Sequence, residues 1–183
     1  ATQAGRIYSF VNDPATTTST LVIDVSARTQ VSDSSGLLGL AFHPEFGQAG
    51  SPSRGYVYIF YTYSPNPRYG YFPCYDRLSR FTIPDGSLVA DPGSELVLIQ
   101  QYDPDVWHNG GGMFFGDDGF LYLSVGDAGG ASDNYNTAQK LNEGLFSGVL
   151  RIDVDMNPAR SHPIRRQPIS RDPTALSFTA HYY

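Results

Sequence analysis

The chain has 183 residues, a formal net charge of −6 and 40% hydrophobic residues. That acidic balance excludes a nucleic-acid partner, because gripping a phosphate backbone needs clustered Lys and Arg. No apolar run approaches the roughly eighteen residues that a membrane span requires, and a single cysteine, Cys74, excludes an intrachain disulfide or a multi-cysteine metal site.

Aromatic residues make up 14% of the chain, and glycine and proline contribute 19 and 13 residues. Aromatic and β-branched side chains suit pleated, half-buried surfaces, and Gly and Pro punctuate turns. This is the composition of an all-β protein with many short strands. In chain order, strands are expected at "GRIYSF" (5–10), "TLVIDVS" (20–26), "LLGLAFH" (37–43) and "GYVYIFYTY" (55–63). Further strands are expected at "RLSRFTI" (77–83), "ELVLIQQY" (95–102), "GMFFG" (112–116), "FLYLSVG" (120–126) and "VLRIDV" (149–154). "DDG" at 117–119 reads as a two-residue hairpin turn. The one plausible helical turn lies in "TAQKLNEG" (137–144). Cys74, between Pro73 and Tyr75, reads as a loop residue. Arg165, Arg166 and Arg171 form the one basic cluster and read as a solvated loop.

The strands repeat. "RIYSF" followed by "LVIDV" matches "RLSRF" followed by "ELVLI", with Phe10 and Phe81 71 residues apart. "LRIDV" is a third copy of the first strand. "LGLAFHPEF…GYVYIFYT" matches "GGMFFGDDGFLYLSVG". A four-stranded antiparallel unit recurring at about 70 residues follows the logic of a β-propeller, in which blades stack to bury both faces. The chain, residues 1–183, holds about two and a half such blades as a single partial domain. That is too few to close a ring, so it reads as the N-terminal portion of a longer protein. Its start at Ala1 rather than Met fits a processed or excised terminus.

His108 is the residue best suited to chemistry. It follows Trp107 and precedes Asn109, Gly110, Gly111 and Gly112. Three glycines weaken a strand, which implies that something approaches the backbone closely. A hairpin through 117–119 would return Asp127, in "GDAGG", to His108, and a carboxylate there would fix the imidazole tautomer. Spacing alone leaves a second reading equally open: His108 capping a turn and Asp127 bonded within its own loop. Asp127, Asp133 and Asn134 gather in a Gly-rich loop that offers oxygen ligands for Ca²⁺, although a polar surface loop explains them as well. His43, before Pro44, reads as a structural histidine at a strand exit. His162 and His181 lie in a poorly patterned tail and have no evident role.

"GLLGLAFHPEF", "GYVYIFYT", "RLSRF", "HNGGGMFFGDDGFLYLSVGDAG" and "SGVLRIDVD" occur in the order seen in the soluble glucose/aldose sugar dehydrogenases. The chain resembles that family over about residues 5 to 155, a fold shared with hedgehog-interacting proteins. The resemblance implies a six-bladed propeller of about 430 residues at this period, with pyrroloquinoline quinone and Ca²⁺ as cofactors. It implies that His108 is the general base and Asp127 its support. It also implies that Asn109, Gly110 and Gly111 lie at the cofactor, and that the main quinone and Ca²⁺ ligands come from later blades. Ser34 and Gly112 depart from the family pattern, which often has Gln or Glu and commonly has Arg at these places, and Gly148-Val149 replaces a common Gly-Lys.

Two functions follow from the resemblance. One is quinone-dependent oxidation of an aldose or related alcohol, with an electron acceptor as second partner, in the periplasm or outside the cell. The other is a non-catalytic extracellular binding propeller of the hedgehog-interacting type.

Overall fold

In the computed structural model, the described residues are 1–67, 70, 72, 74–138, 140, 144–156 and 180–182. Half of the expected turn at 137–144, as well as His162 and the arginine cluster at 165–171, lies outside them. The described elements are strands and one short 3-10 turn. β1 (Arg6–Ser9) and β2 (Thr20–Asp24) form an antiparallel ribbon, followed by the turn at Ser26–Arg28. β3 (Leu37–Phe42), β4 (Tyr56–Tyr63), β5 (Cys74–Thr82) and β6 (Asp91–Asp103) form one four-stranded meander. β7 (Gly110–Phe115), β8 (Leu121–Val125), β9 (Gly148–Ile152) and β10 (Ala180–Tyr182) form the next.

The expected repeat is therefore the blade. β1, β5 and β9 are equivalent strands, and so are β2, β6 and β10, while β3–β4 correspond to β7–β8. Two strands of one blade and two complete blades make the two and a half units that the period implies. β10 is an addition to the sequence reading, which placed no strand in the tail.

Strand alternation distributes β4 between two cores. Tyr58 and Phe60 face the second full blade, where they meet Leu121, Leu123 and Leu150. Val57, Ile59 and Tyr61 face the β1–β2 ribbon and meet Ile7, Val22 and Ile23. A period of 2 makes this unavoidable, and burial on both sides explains why "YVYIFY" has no polar face. Each such side chain taken fully from water contributes about 1.5–3 kcal/mol.

The inner strands of the two blades, β3 and β7, run so close that side chains must be absent. A Cβ at Gly111 would lie 2.5 Å from Leu38 Cβ, and Gly111 sits at φ +106°. The close neighbour of Gly111 is thus the adjacent blade, whereas Gly110 and Gly112 lie against β8 and its end in their own blade.

Three local expectations need correction. Cys74 is not a loop residue: it opens β5, is 1% exposed, and its thiol donates to the Asp105 carbonyl at 3.6 Å. The pairing Cys74↔Asp103 extends the strand beyond its alternating run. β6 is also longer than 95–102, because two register shifts let it follow β5 further. The β7–β8 connection is not a two-residue turn. The Gly116 and Phe120 backbones close it, Gly119 N–H bonds the Gly116 carbonyl, and Gly119 takes φ +78°. Asp118 steers it by accepting from Phe120 N–H and from Arg151.

Candidate active site

β6 ends at Asp103, and the next strand to start is β7, at the inner edge of the neighbouring blade. The crossover between them, 104–109, carries Trp107, His108 and Asn109. The hairpin then brings its far end back: Gly110 pairs with Val125, and Asp127 follows two residues later. His108 Nδ1 lies 2.8 Å from Asp127 Oδ1. A carboxylate only accepts, so Nδ1 carries a proton, and in the neutral imidazole Nε2 is the nitrogen with the lone pair. The two side chains are 49% and 31% exposed, so this imidazole is accessible to a substrate.

Asp127 is held on both sides. Its Oδ1 also accepts Gly129 N–H at 3.1 Å, and its carbonyl accepts the Thr137 hydroxyl at 2.7 Å. Partial burial works to raise the Asp127 carboxyl, but the hydrogen bonds from His108 and Gly129 outweigh it and hold the group below its ordinary value. Asp127 therefore stays ionised against the imidazole.

The crossover is also fastened from below. Asn109 is fully buried, and its Nδ2 donates to Asp76 Oδ1 at 3.2 Å and to Asp103 Oδ2 at 3.0 Å. Asp76 is on β5, at 1% exposure, and Asp103 ends β6, at 0%. Burial, reinforced by the charge of Asp103, pushes the Asp76 carboxyl well above the usual range, and burial pushes Asp103 up to about 6. These two carboxyls are absent from the sequence-level candidates. The signal for Asp76 was its parity: it shares a face of β5 with Leu78, which is a core face.

This pair has a pH consequence. Both groups titrate higher in the folded chain than in the unfolded one, so folding takes up protons: for Asp103 between about pH 4 and pH 6, and for Asp76 from about pH 4 upward. The Asp103 contribution is greatest below about pH 4 and is lost as pH rises through about 6, by an amount on the order of 3 kcal/mol, while that of Asp76, raised further, is lost as pH rises above its own higher range. Asp76→Asn removes the shared titration. Urea unfolding at about pH 5 and about pH 8 should show a larger loss for the wild type than for Asp76→Asn. Equal losses would contradict this assignment.

The remaining sequence candidates are placed as follows. Gly110 is exposed beside His108, whereas Gly111 is buried under Leu38. Asp133 Oδ1 accepts Thr137 N–H and Ala138 N–H at 2.8 and 3.0 Å, which ties down its own loop. Among the described residues, no three His, Cys, Asp or Glu side chains converge as metal ligands. His43 is buried and structural: its Nδ1 accepts Glu45 N–H, so Nε2–H donates to Asp155 at 3.1 Å. That bond joins the end of β3 to the turn after β9. No described helix is long and apolar enough to cross a membrane.

The glucose / sorbosone dehydrogenase family profile matches residues 1–175. The HIPL1 protein of Arabidopsis thaliana is 30% identical over 152 residues, covering 69% of this chain and 22% of that protein. The hedgehog-interacting protein of Mus musculus is 33% identical over 128 residues, covering 67% of this chain and 17% of that protein. Among solved structures, an oxidoreductase of glucose dehydrogenase type from Thermus thermophilus superposes with a TM-score of 0.64 at 27% identity, over 89% of this chain and 42% of that one. The PQQ-bound aldose sugar dehydrogenase of Streptomyces coelicolor shares the fold, with a TM-score of 0.54 at 22% identity, over 91% of this chain and 43% of that one. The chain thus spans less than half of these structures and under a quarter of these curated relatives. With the paired strands, the His108–Asp127 hairpin and a profile match over nearly its whole length, this chain belongs to the glucose / sorbosone dehydrogenase family.

Proposed function

We propose that the protein oxidises an aldose or a related alcohol with pyrroloquinoline quinone as the electron acceptor of the chemical step. The single observation that carries this reading is the accessible His108 imidazole, with Nδ1 on Asp127 and Nε2 free. His108 Nε2 takes the proton of the substrate hydroxyl. Asp127, ionised, holds the tautomer and stabilises the imidazolium that results. When bound, the quinone would supply the hydride acceptor for the substrate carbon. His108 then releases its proton to solvent, to which it is open.

The described residues fit the proton-abstracting half of this site. They do not fit the holding of a cofactor rich in carboxylates. Arg6, Arg28 and Arg54 pair with Asp24, Glu95 and Asp85, and Arg151 pairs with Asp118. Arg77 and Arg80 lie over Tyr63 and Tyr56. We assign the quinone contact to Gly110, which is exposed, and assign the buried Asn109 and Gly111 to the scaffold. Asp127 Oδ1 already accepts from His108 and Gly129, and Asp133 Oδ1 from Thr137 and Ala138, so neither residue is assigned to a metal. A periplasmic or extracellular location accompanies this proposal.

The binding-module reading is favoured by one feature: the carboxylates of Asp105 and Asp127 flank the crossover, with the arginines engaged elsewhere. Full-length protein supplied with quinone and Ca²⁺ separates the two readings. Sugar-dependent dye reduction, with a quinone-dependent rise in melting temperature, supports the enzyme. The lack of both sinks it. In an active preparation, Asp127→Asn should lower kcat by about 10²-fold or more, because an amide can also present N–H to Nδ1 and favour the other tautomer.

A further inference from the structure

We propose that the buried Asp76–Asp103 pair clamps the Asn109 side chain and thereby positions the His108 imidazole against Asp127. The proposal rests on His108 being the base. It adds three positioning residues, two of them supplied by the preceding blade.

The geometry is that of a buried polar cluster in which Asn109 Oδ1 is left without a partner among the described residues. Asn109 donates from one nitrogen to both carboxyls, and none of the three side chains is more than 1% exposed. Asp103 is well supplied with donors, as its Oδ1 takes Asp105 N–H at 3.0 Å while its Oδ2 takes Asn109. Asp76 Oδ2 finds no donor among the described residues. Two buried carboxylates that share one amide nitrogen resist double ionisation, so the pair retains one proton, held by Asp76, whose carboxyl burial pushes well up, beside Asp103 as the ionised partner. Asp76 Oδ2, the orphan oxygen, is the atom left to carry that proton, which makes the pair a neutral acid beside a charged acceptor. The other titratable groups facing the pair are Cys74, whose thiol burial and these carboxylates push up, and Asp105, with Tyr135 bonded to Asp105. None is a cation, so none competes for the shared proton as a counter-charge.

The clamp acts on the backbone that carries the base. His108 sits at φ +58°, a left-handed conformation that costs a residue with a Cβ about 1–2 kcal/mol. Such a conformation persists only where the surroundings over-determine it. On one side of His108 is the 40% exposed Trp107; on the other is the fully buried Asn109. The fixed side is therefore Asn109. Its carbonyl also accepts Gly126 N–H at 3.4 Å, next to Asp127, so one residue ties both partners of the His–Asp pair to the blade behind them.

The test uses full-length protein labelled with ¹⁵N-histidine, with the His108 signals assigned by His108→Gln. In the wild type, the shift pair should report a protonated Nδ1. Asp76→Asn supplies a neutral donor in place of the shared-proton acid. It should keep that shift pair and keep kcat within about threefold. Asp76→Ala and Asn109→Ala should lose the Nδ1–H signature and lower kcat at least about tenfold, with KM changed by less than about twofold. If Asn109→Ala does not fold, Asp76→Ala carries the test, because it leaves Asn109 its bond to Asp103. An unchanged His108 signature in the alanine variants, with only the melting temperature lowered, would overturn the proposal. So would Asp76→Asn behaving like Asp76→Ala while Ca²⁺ raises the wild-type melting temperature, since a cation would then hold the pair together. The NMR signature needs no turnover, so a protein inactive on every sugar would refute the dehydrogenase reading and leave the clamp to be judged by that signature.

Discussion

His108→Ala should lower kcat by about 10²- to 10⁴-fold in the quinone-loaded, full-length protein, the usual contribution of a general base. The melting temperature should shift by no more than about 3 °C. The two halves of this expectation have different causes. The imidazole is half exposed and makes one hydrogen bond, to a carboxylate that is itself partly solvated, so its removal costs the fold little. Its removal costs the reaction its proton acceptor. The space vacated opens to solvent, so added imidazole should restore part of the lost rate. A variant that turns over within about threefold of the wild type would remove His108 from the mechanism. Circular dichroism and the melting curve, recorded on the same sample, keep a folding failure from being read as a catalytic one.

Gly126→Ala should be the most damaging single methyl in the chain. A Cβ there would lie 1.2 Å from the His108 carbonyl oxygen and 2.4 Å from its carbon. These are backbone atoms, so no rotamer relieves the overlap, and the end of β8 would have to withdraw from the crossover. The Gly126 N–H bond to Asn109 and the bond from Ser147 N–H to the Gly126 carbonyl, at 2.6 Å, would go with it. A loss of about 4 kcal/mol or more is expected, in the range reserved for overpacking that the surroundings cannot absorb. Chemical denaturation, or soluble yield if the variant does not fold, measures it. A variant within about 1 kcal/mol of the wild type would show that β8 and the crossover do not meet this closely. The His108–Asp127 geometry, which depends on the same approach, would fall with it.

The contrast between these two substitutions bears on what the motif "HNGG…GD.G" is for. His108 and Asp127 are the residues proposed to carry the chemistry; residue type and hairpin spacing suggested the pair, with a turn-capping reading equally open until the resemblance singled it out. The glycines looked like room for a ligand. Gly111 instead makes room for Leu38 of the neighbouring blade, and Gly126 for the His108 carbonyl. Nothing in the local string distinguishes a glycine that admits a cofactor from one that admits another strand, because both demands are met by the same missing Cβ. Cys74 failed for a related reason. A lone small residue beside a proline has loop character locally, but its pairing with Asp103 places it in a buried strand. β10 has no pattern of its own, and its register follows from the free edge of β9.

Alternation between apolar and polar positions, with turn residues at regular intervals, was enough to establish nine of the ten strands. It was also enough for their repetition at about 70 residues and the return of Asp127 to His108. These are short-range properties, set by a side-chain period of 2 and by backbone chirality at turns, so they can be read along the chain. Only the tertiary structure decided that Asp76, Asp103 and Asn109 share one buried cluster and that burial retunes both carboxyls. It also decided that Gly111 and Gly126 are spent on close contacts with Leu38 and the His108 carbonyl. Those outcomes depend on distances and dielectric between residues up to 33 positions apart, and burial, unlike periodicity, is a property of the assembled blades.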